Sequence, residues 1–214
     1  EVDKAAAETV YESISYLPDL TYLTLDNKAA VEKARLAYRS LTAAQQKLVS
    51  NIGKLTVLEA RITELEKIEA DNLAVEKVIA EINNLPRESD ITIGNKPAIE
   101  KARQAYLNLT IAQQKMVTNY DELLVLEAKL AKLMIEKEDQ IASEKVMEEI
   151  SNLPSLKELK LENKPAVEKA RQAYEELTQV QRKLVNNYDE LVALEKKLEE
   201  LTAADTDADT DTDT

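Results

Sequence analysis

The chain has 214 residues with no Cys, no His, only 2 Gly and 5 Pro, and a formal net charge of −13. Without thiols or imidazoles it has no disulfide, no thiolate or imidazole metal site and no His-based triad. The negative balance argues against nucleic acid or an anionic membrane as partner. A sequence rich in Ala, Leu, Glu and Lys and poor in Gly predicts an all-α protein. With Phe and Trp absent, the core has to be built from Leu, Ile, Val, Ala and a few of the eight Tyr.

One stretch recurs three times: NKAAVEKARLAYRSLT from Asn27, NKPAIEKARQAYLNLT from Asn95 and NKPAVEKARQAYEELT from Asn163, at intervals of 68 residues. Pro18, Pro86 and Pro154 keep that interval, and so do Tyr38, Tyr106 and Tyr174. The chain reads as a tandem array. A lone unit of this size buries a marginal core, so neighbouring units are expected to support one another.

In chain order, residues 3–17 read as a helix, with Val10, Ile14 and Leu17 at helical spacing and Pro18 as the stop. The counterparts end at Leu85-Pro86 and Leu153-Pro154, because a residue before Pro avoids the helical region. A short connector follows, pinned by Leu23 and Leu25, Ile91 and Ile93, or Leu159 and Leu161. Asn27, Asn95 and Asn163 are expected to N-cap a second helix, with Pro97 and Pro165 in its first turn. Ile99, Ala102, Tyr106 and Leu109 give that helix its inward face, and it is expected to end at Thr42, Thr110 or Thr178. Thr42-x-x-Gln45, Thr110-x-x-Gln113 and Thr178-x-x-Gln181 match capping boxes for a short third helix, anchored by Val49, Val117 and Val185. Asn119-Tyr-Asp-Glu122 and Asn187-Tyr-Asp-Glu190 open the last helix as cap plus acidic first turn. The first copy has Asn51-Ile-Gly-Lys54 instead, which predicts a weaker start.

Between units, Lys54–Leu85 and Asp121–Leu153 contain no Pro, and the only glycine near either lies at Gly53, before the first. The simplest reading is one continuous helix shared by consecutive units; about 32 residues then span roughly 48 Å, and three units on the order of 120–150 Å. The rival is a break at Glu69-Ala-Asp-Asn72, where the apolar stripe thins, giving a jointed rod. The expected organisation is therefore three helical-bundle repeats (1–68, 69–136 and 137–203) joined by long continuous helices in a spectrin-like rod. Residues 204–214 form an Asp/Thr tail without apolar side chains to offset ordering entropy, expected to be disordered. No apolar run approaches the length of a membrane span. No signal-peptide pattern is present, and a start at Glu1 is what a mature or excised fragment would show.

The combination of Leu-Pro, the alternating connector, NKxAVEKARxAYxxLTxxQ with KLV-N, and YDELxxLEAKL resembles the tandem three-helix repeats of secreted and cell-wall-associated surface proteins of Gram-positive bacteria, of surface-layer or adhesin type. The resemblance covers about residues 3–202. It implies an extracellular spacer or stalk near the cell wall that projects or links other domains of the same parent protein. It also leaves open a binding module whose helical faces dock a cell-wall polysaccharide, a glycan or a host protein.

The residues themselves suggest no enzyme: with His absent, no nucleophile has its usual base, and no cofactor or metal is expected. Paired carboxylates such as Glu148 and Glu149 lie about 100° apart on a helix and read as solvated faces. The alternating Asp205 to Asp213 lack the Gly turn and terminal Glu of a calcium loop. Tyr38, Tyr106 and Tyr174 could line a groove, but their place on the inward stripe favours a core role with the hydroxyl at the rim. Tyr120 and Tyr188, next to the cap, are expected to be partly exposed and are the better ligand candidates. Lys101, Arg103, Lys169 and Arg171 recur on the second helix, as Lys33 and Arg35 do in the first copy, and are candidate contacts; exposed ion pairs with neighbouring Glu are the competing explanation. Asn108-Leu-Thr110 is a glycosylation sequon only in a eukaryotic host.

Overall fold

The computed structural model describes the backbone of residues 2–210 and the side chains of residues 3–205. Helix makes up 78% of the chain and no strand occurs among the described residues, so the class is all-α. The helices are α1 (Val2–Ser15), α2 (Lys28–Arg39), α3 (Ala43–Gln46), α4 (Ile52–Asn83), α5 (Lys96–Leu107), α6 (Ile111–Gln114), α7 (Tyr120–Ser151), α8 (Lys164–Glu176), α9 (Gln179–Arg182) and α10 (Tyr188–Thr210). Contacts divide the chain into two compact units, Glu1–Leu85 with Ala98–Leu123, and Pro86–Pro97 with Leu124–Thr214.

In the first unit, α1, α2 and α4 enclose a core whose fully buried members include Ile14, Val31, Leu55 and Leu58. Val49 closes one end and Leu23 pins the connector. The second unit repeats this arrangement with Ile150, Val167 and Leu191, closed by Val185 and pinned by Leu159. Of each connector's two expected pins only the first is fully buried, and Ile93 is exposed.

α4 and α7 each run for 32 residues without interruption, through the Glu69–Asn72 stretch in the case of α4. The short helices begin as their sequence predicts. Gln45 N–H donates to Thr42 Oγ1 at 3.3 Å and Thr42 N–H donates to Gln45 Oε1 at 2.8 Å; Thr110 with Gln113 and Thr178 with Gln181 match this.

Several expectations are corrected. Asn27 and Asn163 do not cap the second helix through their side chains, because their backbone is already helical at the end of a 3-10 turn. Their Oδ1 atoms reach backwards instead. Thr24, Thr92 and Lys160 N–H donate to Asn27, Asn95 and Asn163 at 3.0, 2.8 and 2.9 Å. The second helices also stop before Thr42, Thr110 and Thr178, at Arg39, Leu107 and Glu176. Asn51, Asn119 and Asn187 do not cap either: their Oδ1 atoms are buried without a partner. Their Nδ2 atoms donate across to Tyr11 O, Ile79 O and Met147 O at 2.8, 3.0 and 2.9 Å. A carbonyl can only accept, so this contact fixes the amide orientation.

The start of α4 falls at the position equivalent to the starts of α7 and α10 despite its missing acidic turn. Lys54, standing where the other copies have Glu122 and Glu190, turns to α1 and donates to Ser15 O at 3.2 Å and Leu17 O at 2.7 Å, a favourable place for a cation at a helix C-terminus. The acidic tail, expected to be disordered from residue 204, continues α10 as far as Thr210, since no Pro or Gly halts the ladder there; residues 211–214 lie outside the described residues. No described residue has a positive φ.

Candidate functional site

The candidate residues converge on a seam between the second and fourth helix of each copy. Arg35 lies one turn before Tyr38 on α2, so both side chains face α4. Arg35 Nε and Nη2 donate to the two carboxylate oxygens of Glu59, each at 2.5 Å, and Nη2 also reaches Thr56 Oγ1 at 3.2 Å. Its guanidinium lies 5.6 Å from the centre of the Tyr38 ring. The bidentate pair raises the arginine pKa, chiefly through the hydrogen bond to Glu59, against a smaller opposing effect of burial.

In the second unit Arg171 on α8 makes the same fork to Glu195 on α10, with Nε at 2.5 Å from Oε1 and Nη2 on Oε2. Arg171 Nη1 also donates to the Tyr188 hydroxyl at 3.0 Å. Tyr174 and Tyr188 stack with centroids 4.3 Å apart, and the guanidinium lies 5.8 and 5.2 Å from them. The hydrogen bond to Glu195 again leads in pushing this arginine's pKa up, with Tyr188 assisting. In the first unit Arg103 Nη1 donates to the Tyr120 hydroxyl at 2.7 Å, and Tyr106 and Tyr120 stack at 4.0 Å.

Tyr120 is thus engaged with Arg103 in the first unit and Tyr188 with Arg171 in the second, all four half-buried. Lys101 and Lys169 stay apart from the seam. Lys101 Nζ pairs with Glu81 at 2.9 Å and Lys169 Nζ with Glu149 at 3.7 Å, while both lysine side chains remain about three-quarters exposed. Glu149 is therefore not on a solvated face as its pairing with Glu148 suggested; one carboxylate oxygen is buried, as in Glu81. The half-buried Tyr38 and Tyr174 pack as rim members of the core, and Tyr106 is half-buried against Tyr120.

Beside Arg171, a groove of about 660 Å³ opens between α8 and α10, lined among others by Lys164, Val167, Leu198 and Thr202. In the first unit the corresponding gap is bridged: Lys28 Nζ donates to Glu66 at 2.5 Å, which raises the lysine pKa. Thr202 occupies the position equivalent to Glu66 and is too short for that bridge.

Sequence reasoning missed the lateral ties. Gln45, Gln113 and Gln181, beyond closing their capping boxes, donate Nε2 to Asp3, Asp71 and Asp139 at 2.9, 2.7 and 2.8 Å. With the asparagines above, they hold each short helix against the preceding long one. The signal was present in the recurrence of these Asp, Asn and Gln at the 68-residue interval. Among the described residues no cluster of three acidic side chains could hold a metal ion. No protein-family model, curated protein or solved structure matches the chain.

Proposed function

We propose that the chain is a non-enzymatic structural spacer of a bacterial cell-surface protein. In this reading three helical units, residues 1–68, 69–136 and 137–203, join through shared helices into a spectrin-like rod that holds other domains of the parent protein away from the wall. The observation that carries the proposal is the continuity of α4 and α7 through the stretches where a joint was the alternative. Each helix covers roughly 48 Å at about 1.5 Å per residue. Asp71 and Asp139, at the middle of those helices, are tied to Gln113 and Gln181, so the stretch that is poorest in apolar residues has a lateral support. Extracellular, wall-associated placement in a Gram-positive bacterium rests on the motif resemblance.

The rival reading, helical faces that dock a cell-wall polymer or host protein, has less support because Tyr120, Tyr188, Arg103 and Arg171 spend their polar groups on each other and on glutamates. Small-angle scattering on the whole chain is the test. A rod gives a radius of gyration well above the roughly 17 Å expected for a compact globule of this length; a value near that figure would defeat the proposal.

A further inference from the structure

Five of the eight tyrosines sit half-buried in the seams. Two others are the most exposed large apolar side chains described: Tyr16 at 87% and Tyr22 at 78%, on the connector between α1 and α2, with Leu20 at 46% between them. This aromatic surface belongs to the first copy alone. The equivalent positions carry Asn84, Glu88 and Asp90, then Asn152, Leu156 and Glu158.

The connector's electrostatics are also distinct. From Ala5 to Asn27 there is no Lys or Arg, while Glu8, Glu12, Asp19 and Asp26 are all exposed acids. The equivalent stretches of the other copies contain Lys77 and Arg87, or Lys145, Lys157 and Lys160. Lys54 reaches the connector from α4 and is bound to the carbonyls of Ser15 and Leu17, with Asp19 at 3.8 Å.

The connector is held in place. Leu17 and Leu23 are buried at its two ends. Leu17 N–H donates to Ile14 O at 3.2 Å and Tyr22 N–H to Asp19 O at 3.0 Å. A ligand would therefore meet tyrosines on an already ordered backbone, which lowers the ordering cost of binding.

We propose that this connector is a docking surface for a cationic peptide segment bearing arginine or lysine. Tyrosine faces attract guanidinium and ammonium groups, and the exposed carboxylates of Glu8, Glu12 and Asp26 add charge complementarity, Asp19 being shared with Lys54. A neutral sugar would use the rings and leave the charge unused, and an anionic partner would be repelled. The proposal is independent of the spacer reading, since a loop can dock a partner whether or not the helices form a rod.

The test is titration of the full chain with a fluorescent decapeptide of alternating Arg and Gly, read by anisotropy. Saturable one-to-one binding is expected, and Tyr16→Ser with Tyr22→Ser should weaken it about tenfold without altering net charge. Glu12→Gln with Asp26→Asn should weaken it further and flatten its salt dependence. Tyr22→Ser alone serves if the double variant loses helix content. Binding equal in wild type and tyrosine variants would mean diffuse attraction to an acidic chain and would overturn the proposal. So would absence of binding, saturable uptake of a neutral oligosaccharide that the same variants abolish, or self-association of the chain that they abolish.

Discussion

The seam around Arg35 and the seam around Arg171 share one link and differ in another. Both arginines fork onto a glutamate 24 residues later, Glu59 or Glu195. Only Arg171 also lies against two stacked rings, because Tyr188 stands where the first copy has Ile52. Arg35 makes up part of the difference through Thr56 Oγ1. The comparison separates what the helix pairing requires, a charged fork across a half-buried groove, from what it tolerates, a ring or an aliphatic side chain beside it.

The largest expected effect tests what the two seams have in common. Leu55 and Leu191 are equivalent and both fully buried. Leu55→Ala and Leu191→Ala should each cost about 2–5 kcal/mol in denaturant melts. If only one did, the two cores would not be built alike. Next comes the arginine itself: Arg171→Met should cost about 0.5–1 kcal/mol more than Arg35→Met, since each loses one hydroxyl bond and one ring face but Arg171 loses a second ring face as well. Equal losses in chemical denaturation would show that the second ring adds nothing to the fork.

Tyr188→Ile converts the second seam into the first, and a loss of about 0.5–1.5 kcal/mol is expected from the missing stack. The smallest effect concerns pH. Both arginines have folded-state pKa values raised above the ordinary arginine value, chiefly by their hydrogen bonds to glutamate. A raised value means that the stabilisation is complete below the ordinary pKa and is lost only as pH climbs through the folded one. The stability difference between wild type and Arg171→Met should therefore stay constant from about pH 7 to about pH 9, below ordinary tyrosine ionisation, followed by circular dichroism. A difference that shrinks within that window would assign the effect to some other group.

Much of the fold was legible because it depends on near neighbours. Thr-x-x-Gln boxes and the apolar stripe through Leu55, Leu58 and Ile62 are local patterns that correspond to an element boundary or a buried face, whereas the helices expected to run to Leu17, Leu85 and Leu153 end two residues sooner, at Ser15, Asn83 and Ser151. The asparagines were less legible. Asn119 and Asn187 have the composition of a helix cap, but an amide carries both donor and acceptor, and which one is used depends on a carbonyl 40 residues earlier in the chain. The candidate site shows the same limit. Half-exposure of Tyr120 and Tyr188 could be read from their place beside the helix start. Their engagement with Arg103 and Arg171 could not, because it depends on how two helices face each other. The helical course of 204–210 also went unread, since composition reports propensity and not the momentum of a helix already begun.

The absence of any left-handed backbone conformation has a consequence for how such a chain can change over generations. Every bend between described helices is made in regions that ordinary L-residues enter freely, so no turn depends on glycine. The connectors can then differ in sequence without strain, as the contrast of Tyr16 with Asn84 and Asn152 illustrates. The cross-helix bonds of Asn51, Asn119 and Asn187 are less forgiving, since no neighbour in the sequence can replace a partner about 40 residues away.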